Sequence, residues 1–231
     1  MKPDIYHRYA IYWTPPPGPL AEFGAAWLGW DSAKGETPAA LGVEGLPMEE
    51  ITARPRRYGL HATIKAPFRL AKGVVEADVH EALAEFAARR APVLLEGLAL
   101  QRLGRFLCLR PEGETDALDA LAADVVRDLD ALRAPLTEAE ITRREQTRLT
   151  PEAKALMLRW GYPHVMQRFR FHVTLTGNLE PNIFAKTENA LGPLLAPLLP
   201  RPFPIEALSL MGEDAEGRFH LLARVPLTGR A

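Results

Sequence analysis

The chain has 231 residues, 28 Lys and Arg against 29 Asp and Glu, and a formal net charge of −1. That balance argues against a general, charge-driven affinity for long nucleic acid or an anionic membrane, while leaving room for a local basic cleft. Hydrophobic residues at 47% and charged residues at 25% are ordinary for a globular protein, so a sizeable core is expected and disorder is not.

Residues 6–13 (YHRYAIYW) read as a first strand, stopped by Pro15-Pro16-Pro17. The N-terminus begins Met-Lys-Pro-Asp and runs straight into that strand, so no secretory segment is expected. Residues 20–28 predict a short helix, with Phe23 and Trp27 on one face. Residues 31–47 are punctuated by Gly and Pro and read as loop. Arg54, Arg56 and Arg57 then crowd the approach to a strand over 58–68, which Pro67 ends. Residues 77–90 predict an amphipathic helix with Val79, Leu83 and Phe86 inward and His80 at its surface. Residues 93–100 and 105–109 read as two strands about a turn at Gly104.

Residues 115–132 form a second amphipathic pattern, broken by Pro135. Thr137 and Glu140 fit a capping box opening another helix. Thr150-Pro151 fits an N-cap and first helical position, with Gly161 as the stop. Residues 168–176 alternate apolar and polar as a strand. Residues 181–199 predict helix interrupted at Gly192-Pro193 and Pro197. Residues 205–211 and 218–226 close the chain as two strands about a turn.

Two of these strands stand out. In one, His61, Thr63 and Lys65 share a face, with Leu60, Ala62 and Ile64 on the other. In the second, Arg170, His172, Thr174 and Thr176 alternate with Phe169, Phe171, Val173 and Leu175. Such polar rows cost free energy on a buried face unless they have partners, so both read as walls of an anion-binding cleft. One His-x-Thr is weak, because chance supplies roughly a third of a match in a chain of this composition. The pair gains weight from its setting. Each is followed by a helix, a strand, a Gly-Arg-Phe triplet and another strand. His61 to Phe106 is 45 residues and His172 to Phe219 is 47. This is the pattern of a tandem duplication, and it predicts two lobes about a pseudo-twofold axis. The expected division is one bilobal domain over 1–231: a strand at 6–13, a first lobe over 14–110, a helical insert over 115–160 and a second lobe over 165–228.

Two imidazoles facing one site suit a reaction that needs an acid and a base near neutral pH, such as phosphodiester cleavage. Thr63 and Thr174 would hold the phosphate, and Lys65 and Arg170 would stabilise developing charge. Arg143 and Arg144 could hold a second phosphate, Arg being suited to bidentate contacts. Tyr58 and Tyr162 are candidate cleft aromatics. His7, His164 and His220 take structural readings. There is no CxxC, HExxH or glycine-rich nucleotide motif, so neither a metal nor a cofactor is expected. No apolar run approaches the roughly 20 residues that span a bilayer. Cys108, between two leucines, reads as a packed thiol in a reducing compartment, which points to the cytoplasm.

His61-Ala62-Thr63-Ile64 and His172-Val173-Thr174-Leu175 resemble the paired motifs of the two-histidine (2H) phosphoesterase superfamily. The stretches 58–68, 130–136, 160–163 and 169–177 are similar to its phosphonate-metabolism branch, domain-of-unknown-function family 1045. The resemblance covers residues 6 to about 225. It implies an α+β, bilobal duplicated fold: two antiparallel sheets flanked by helices, with one His-x-Thr strand per lobe lining a central cleft. It implies a metal-independent phosphoesterase with catalytic His61, Thr63, His172 and Thr174. Tyr58, Lys65, Arg143, Arg144, Arg170 and Thr176 would bind substrate, a cyclic phosphodiester of a small ribose-like or phosphorylated sugar. The alternatives are an RNA-end cyclic phosphodiesterase or 2′–5′ RNA ligase-like enzyme, which the neutral charge disfavours, and a non-catalytic phosphate-binding module. A monomer without membrane partners is expected.

Overall fold

The computed structural model describes residues 6–146 and 148–230. The alternating N-terminal segment forms β1 (Arg8–Trp13), with Tyr9, Ile11 and Trp13 turned into the core. Pro19 opens α1 (Pro19–Leu28), where its missing N–H costs no hydrogen bond, and left-handed Gly29 closes it. α2 (Met48–Arg56) is a helix where the sequence predicts only an arginine-rich approach. It buries Ile51, Thr52 and Pro55 alone, too short a periodic signal to read.

β2 (Ala62–Phe68) and α3 (Glu76–Ala88) follow the expected pattern, with Val79, Leu83 and Phe86 fully buried. The single strand expected over 93–100 is instead β3 (Val93–Leu95) and β4 (Gly97–Leu103), which lie in different sheets. β5 (Phe106–Glu112) and α4 (Asp116–Asp128) come next. Thr137 and Glu140 make the expected capping box on α5 (Glu138–Glu145). Thr150 caps α6 (Pro151–Trp160), and Gly161 ends that helix at φ +78°. β6 (Val173–Thr174) is far shorter than the strand expected over 168–176, whose start is a 3₁₀ turn at Met166–Arg168. The alternation survives even so: Phe169, Phe171, Val173 and Leu175 are all buried. α7 (Pro181–Leu195) runs unbroken past Gly192-Pro193, where the sequence predicts an interruption, although Pro193 has no N–H to give to the helix. β7 (Phe203–Ile205), β8 (Ala207–Glu213) and β9 (Phe219–Pro226) complete the chain.

The fold is α+β, with two antiparallel sheets of unequal size. The large sheet has the order β4-β5-β6-β2-β1-β8-β9, and the small one pairs β3 with β7. The register of the small sheet is Val93↔Ile205, Leu94↔Pro204 and Leu95↔Phe203. β3 precedes β4 as β7 precedes β8, so exchanging the two units maps this register onto itself, as a twofold relation requires. α3 packs on β8 and β9, α4 on β2, and α7 on β4. The opposite face of the large sheet carries a smaller apolar cluster of Ala10, Tyr12, Met211 and Phe219. Cys108 is buried and its thiol is pushed up to about 11, consistent with a packing role. Among the described residues, no helix is long and apolar enough to cross a membrane.

One irregularity decides which side chains reach that opposite face. β1 pairs with β2 as Trp13↔Ala62 and Tyr12↔Thr63, but then as Ile11↔Lys65, so β2 gains one residue after Thr63. A bulge of this kind re-aims the side chains beyond it. Lys65 therefore turns to the core face and is only 3% exposed. Its Nζ lies 3.6 Å from Asp130 Oδ1 and donates to the Val126 carbonyl, 3.2 Å away at the end of α4. Burial pulls its ammonium down to about 8. This corrects the expectation that Lys65 shares a face with His61 and Thr63, because period two holds only while pairing is regular.

Asp130 also pairs with Arg133 at 3.0 Å and Arg159 at 3.5 Å, so losing Lys65 leaves it compensated. Lys65→Met should accordingly keep the protein within about 1 kcal/mol of wild-type stability at pH 7, or raise it. Urea unfolding checks this; a loss of about 3 kcal/mol or more would make the lysine an indispensable tie.

Candidate active site

The His-x-Thr strands lie side by side. β2 pairs with β6 through Ala62↔Val173, antiparallel. That register sets His61 opposite Thr174, and Thr63 opposite His172, all four on one sheet face. Directly opposite side chains have Cβ atoms about 4.5–5.5 Å apart. The four converge on one cleft of about 770 Å³.

Both imidazoles are held alike. His61 Nδ1 lies 3.0 Å from the Gly59 carbonyl, and His172 Nδ1 lies 2.7 Å from the Arg170 carbonyl. A carbonyl only accepts, so Nδ1 carries the proton in each ring and Nε2 is left for the cleft. Gly59 adopts φ +69°, a conformation that favours glycine.

Their surroundings differ. The His61 ring lies 4.3 Å from Tyr12 and 5.2 Å from Tyr58, and Phe219 packs on both tyrosines at 5.7 and 5.0 Å. Burial in this aromatic box lowers His61 to about 4; the Gly59 bond opposes the shift and the nearby His172 adds to it. His61 is therefore neutral at pH 7. His172 is more exposed, and the Phe106 ring lies 6.0 Å from its own.

The cleft wall carries Arg8, Arg54, Arg57 and Arg144 and, among the described residues, no carboxylate. Glu213, outside the lining, pairs with Arg8 and lies 3.3 Å from Arg57. Such a surface suits an anion. Arg144 donates to the Gly161 carbonyl and lies 5.6 Å over the Tyr162 ring, which fixes it on the rim made by the helical insert.

The remaining expected residues divide. Tyr58, Arg144 and Thr176 line the cleft, although Thr176 Oγ1 already accepts from the Leu107 N–H at 3.0 Å. Lys65, Arg143 and Arg170 do not line it. Arg143 is exposed on α5, and the exposed Arg170 folds back onto the Gln167 and Phe169 carbonyls. Arg54, Arg57 and Tyr162 reach the wall, while Arg56 bonds Leu28 and Thr52 instead. His164, read as structural, also lines the cleft; His7 is exposed and outside it, and His220 is held 2.7 Å from Asp214. Sequence reasoning missed Arg8 and Tyr12. The signal was the parity of β1, whose Tyr9, Ile11 and Trp13 go inward and leave Arg8, Ala10 and Tyr12 to the cleft face.

The box around His61 has a consequence for stability. The folded chain takes up this proton near pH 4 and the unfolded chain near 6.5, so between those values the unfolded state binds more protons. The stability tied to neutral His61 is full above pH 6.5 and falls, by at most about 3 kcal/mol, as pH drops through 4. Wild type should therefore lose more stability than His61→Gln between pH 7 and 4 in urea titrations. Parallel losses in the two proteins would contradict a desolvated His61.

A family model described as "Protein of unknown function (DUF1045)" matches residues 63–220. A protein of Janthinobacterium sp. (strain Marseille) named ribose 1,5-bisphosphate phosphokinase PhnN is 36% identical over 232 residues, covering 96% of this chain and 51% of its own length. A protein of the same name from Laribacter hongkongensis (strain HLHK9) is also 36% identical, over 94% of this chain and 51% of that one. The chain thus spans about half the length of these curated relatives. Among solved structures, E. coli LigT complexed with NADP+ is similar at 17% identity and a TM-score of 0.43, covering 96% of this chain and 98% of that chain.

Proposed function

The chain belongs to the DUF1045 family, and from that premise we propose that it is a 2H-type phosphoesterase opening a cyclic phosphodiester on a small phosphorylated sugar. The observation that carries the reading is the pair of imidazoles fixed in the same tautomer on adjacent strands, one desolvated and one more exposed. Pairs of titratable groups in unlike environments are how acid and base roles are separated. His61, neutral at pH 7, takes a proton from water through Nε2 as the water oxygen attacks phosphorus. His172 acts as the imidazolium, with a second proton on Nε2 besides the one on Nδ1, and gives that Nε2 proton to the sugar oxygen as the P–O ring bond breaks. One water is added, and a phosphomonoester and a free hydroxyl result. Thr63 and Thr174 donate to non-bridging oxygens, and the cleft arginines balance the charge that builds on them.

The names of the relatives narrow the substrate. Adding water across the ring of a ribose 5-phosphate 1,2-cyclic phosphate, with cleavage of the bond to O2, yields ribose 1,5-bisphosphate, the compound in those names. A reaction supplying it fits a segment that occupies about half of such proteins, and it fits a role in phosphonate breakdown. Arg144, on the insert side of the cleft, suits the 5-phosphate. The RNA-end reading loses ground because the basic character is confined to a cleft in a chain of net charge −1.

His61→Ala and His172→Ala should each lower turnover of ribose 5-phosphate 1,2-cyclic phosphate by about 10²–10⁴-fold, with the far-ultraviolet circular dichroism unchanged. Near-wild-type rates in either variant would contradict the roles given. Saturable binding by wild type with no product after long incubation would favour a binding module.

A further inference from the structure

Among the polar side chains of the cleft that the reaction above leaves unused is Tyr12. Tyr12 is 0% exposed, and its Oη has no hydrogen-bond partner among the described residues. It is part of the cleft lining, with its ring 4.3 Å from that of His61. A hydroxyl buried without a partner is costly, and in a native protein it calls for a role or a ligand.

Its position is set by the sheet. The register of β1 and β2 puts Tyr12 directly opposite Thr63, and that of β2 and β6 puts Thr63 opposite His172. Tyr12, Thr63 and His172 therefore form one row across three adjacent strands, each about 4.8 Å from the next. A phosphoryl group held between the two imidazoles lies over this row. Burial drives the Tyr12 phenol well above its ordinary value, so it stays protonated and can donate.

We propose that Tyr12 is a substrate-binding residue whose hydroxyl donates a hydrogen bond to a non-bridging oxygen of the phosphoryl group held between His61 and His172. The identity of that anion rests on the phosphoesterase reading. The phenol keeps its proton throughout, so His61 and His172 remain the base and the acid. A neutral donor suits this position: a lysine or arginine against His61 would lower further the basicity that its role requires.

Tyr12→Phe removes the hydroxyl and nothing else, and two measurements test it. Inorganic phosphate, titrated by calorimetry, should bind the variant about 10–100-fold more weakly than wild type, and kcat/KM on the ribose cyclic phosphate should fall by a similar factor. The urea midpoint of the ligand-free variant should equal or exceed that of wild type, because the hydroxyl makes no hydrogen bond among the described residues. Unchanged phosphate affinity overturns the assignment, and so does a lowered midpoint, which would give the hydroxyl a structural partner. If wild type turns over no cyclic phosphodiester while Tyr12→Phe still loses phosphate binding, the reaction assigned above fails and the role of Tyr12 stands.

Discussion

The site depends on one backbone pairing, Ala62 with Val173. β6 is only two residues long, yet this contact sets which side chains of its segment meet those of β2. A slip of one residue would turn His172 and Thr174 to the apolar side and bring Val173 into the cleft. What resists the slip is burial: Phe169, Phe171, Val173 and Leu175 all lie in the core, each worth about 1.5–3 kcal/mol against exposure. The Trp27 indole adds a bond to the Leu175 carbonyl at 2.8 Å. The core thus helps hold a two-residue strand in register, and His172 and Thr174 sit on its other face.

The two His-x-Thr segments share their local contacts and differ in what surrounds them. Both histidines bond the carbonyl two residues before them. The phenylalanines of the two Gly-Arg-Phe triplets cross over: Phe106 of the first unit stands beside His172, and Phe219 of the second packs on the tyrosines around His61. The difference comes from the outer neighbour of each strand: β1 lies next to β2, and β5 lies next to β6. β1 brings Tyr12 against His61, closes the aromatic box and lowers that imidazole. Two like-held imidazoles thereby sit in unlike surroundings.

The parts of this legible in the sequence were those written in short periods. The paired His-x-Thr rows, the capping box at Thr137, the Gly161 stop and the inward stripe of α3 all appear as expected, because local sterics and alternation settle them. Three features were not legible. The bulge after Thr63 depends on how β1 pairs with β2, and nothing in the sequence of β2 announces the extra residue that re-aims Lys65. Arg170 has the right parity, but it lies beyond the paired segment and satisfies itself on local carbonyls. Tyr12 reads as one aromatic among several in a strand whose inward face is known only once the core is assembled. Residues 93–100 mislead for a related reason: one β-rich run serves two sheets, a choice made by tertiary pairing.

The central claim is that His61 is a neutral base and that both rings present Nε2 to the substrate. Histidine side-chain nitrogen–proton correlation spectra, recorded from pH 3 to 8 on the ligand-free protein, address it most directly. The account predicts the Nδ1–H tautomer for neutral His61 and neutral His172, with His61 taking up its second proton only near pH 4. A His61 that titrates near 6.5, or that carries its single proton on Nε2, would contradict it.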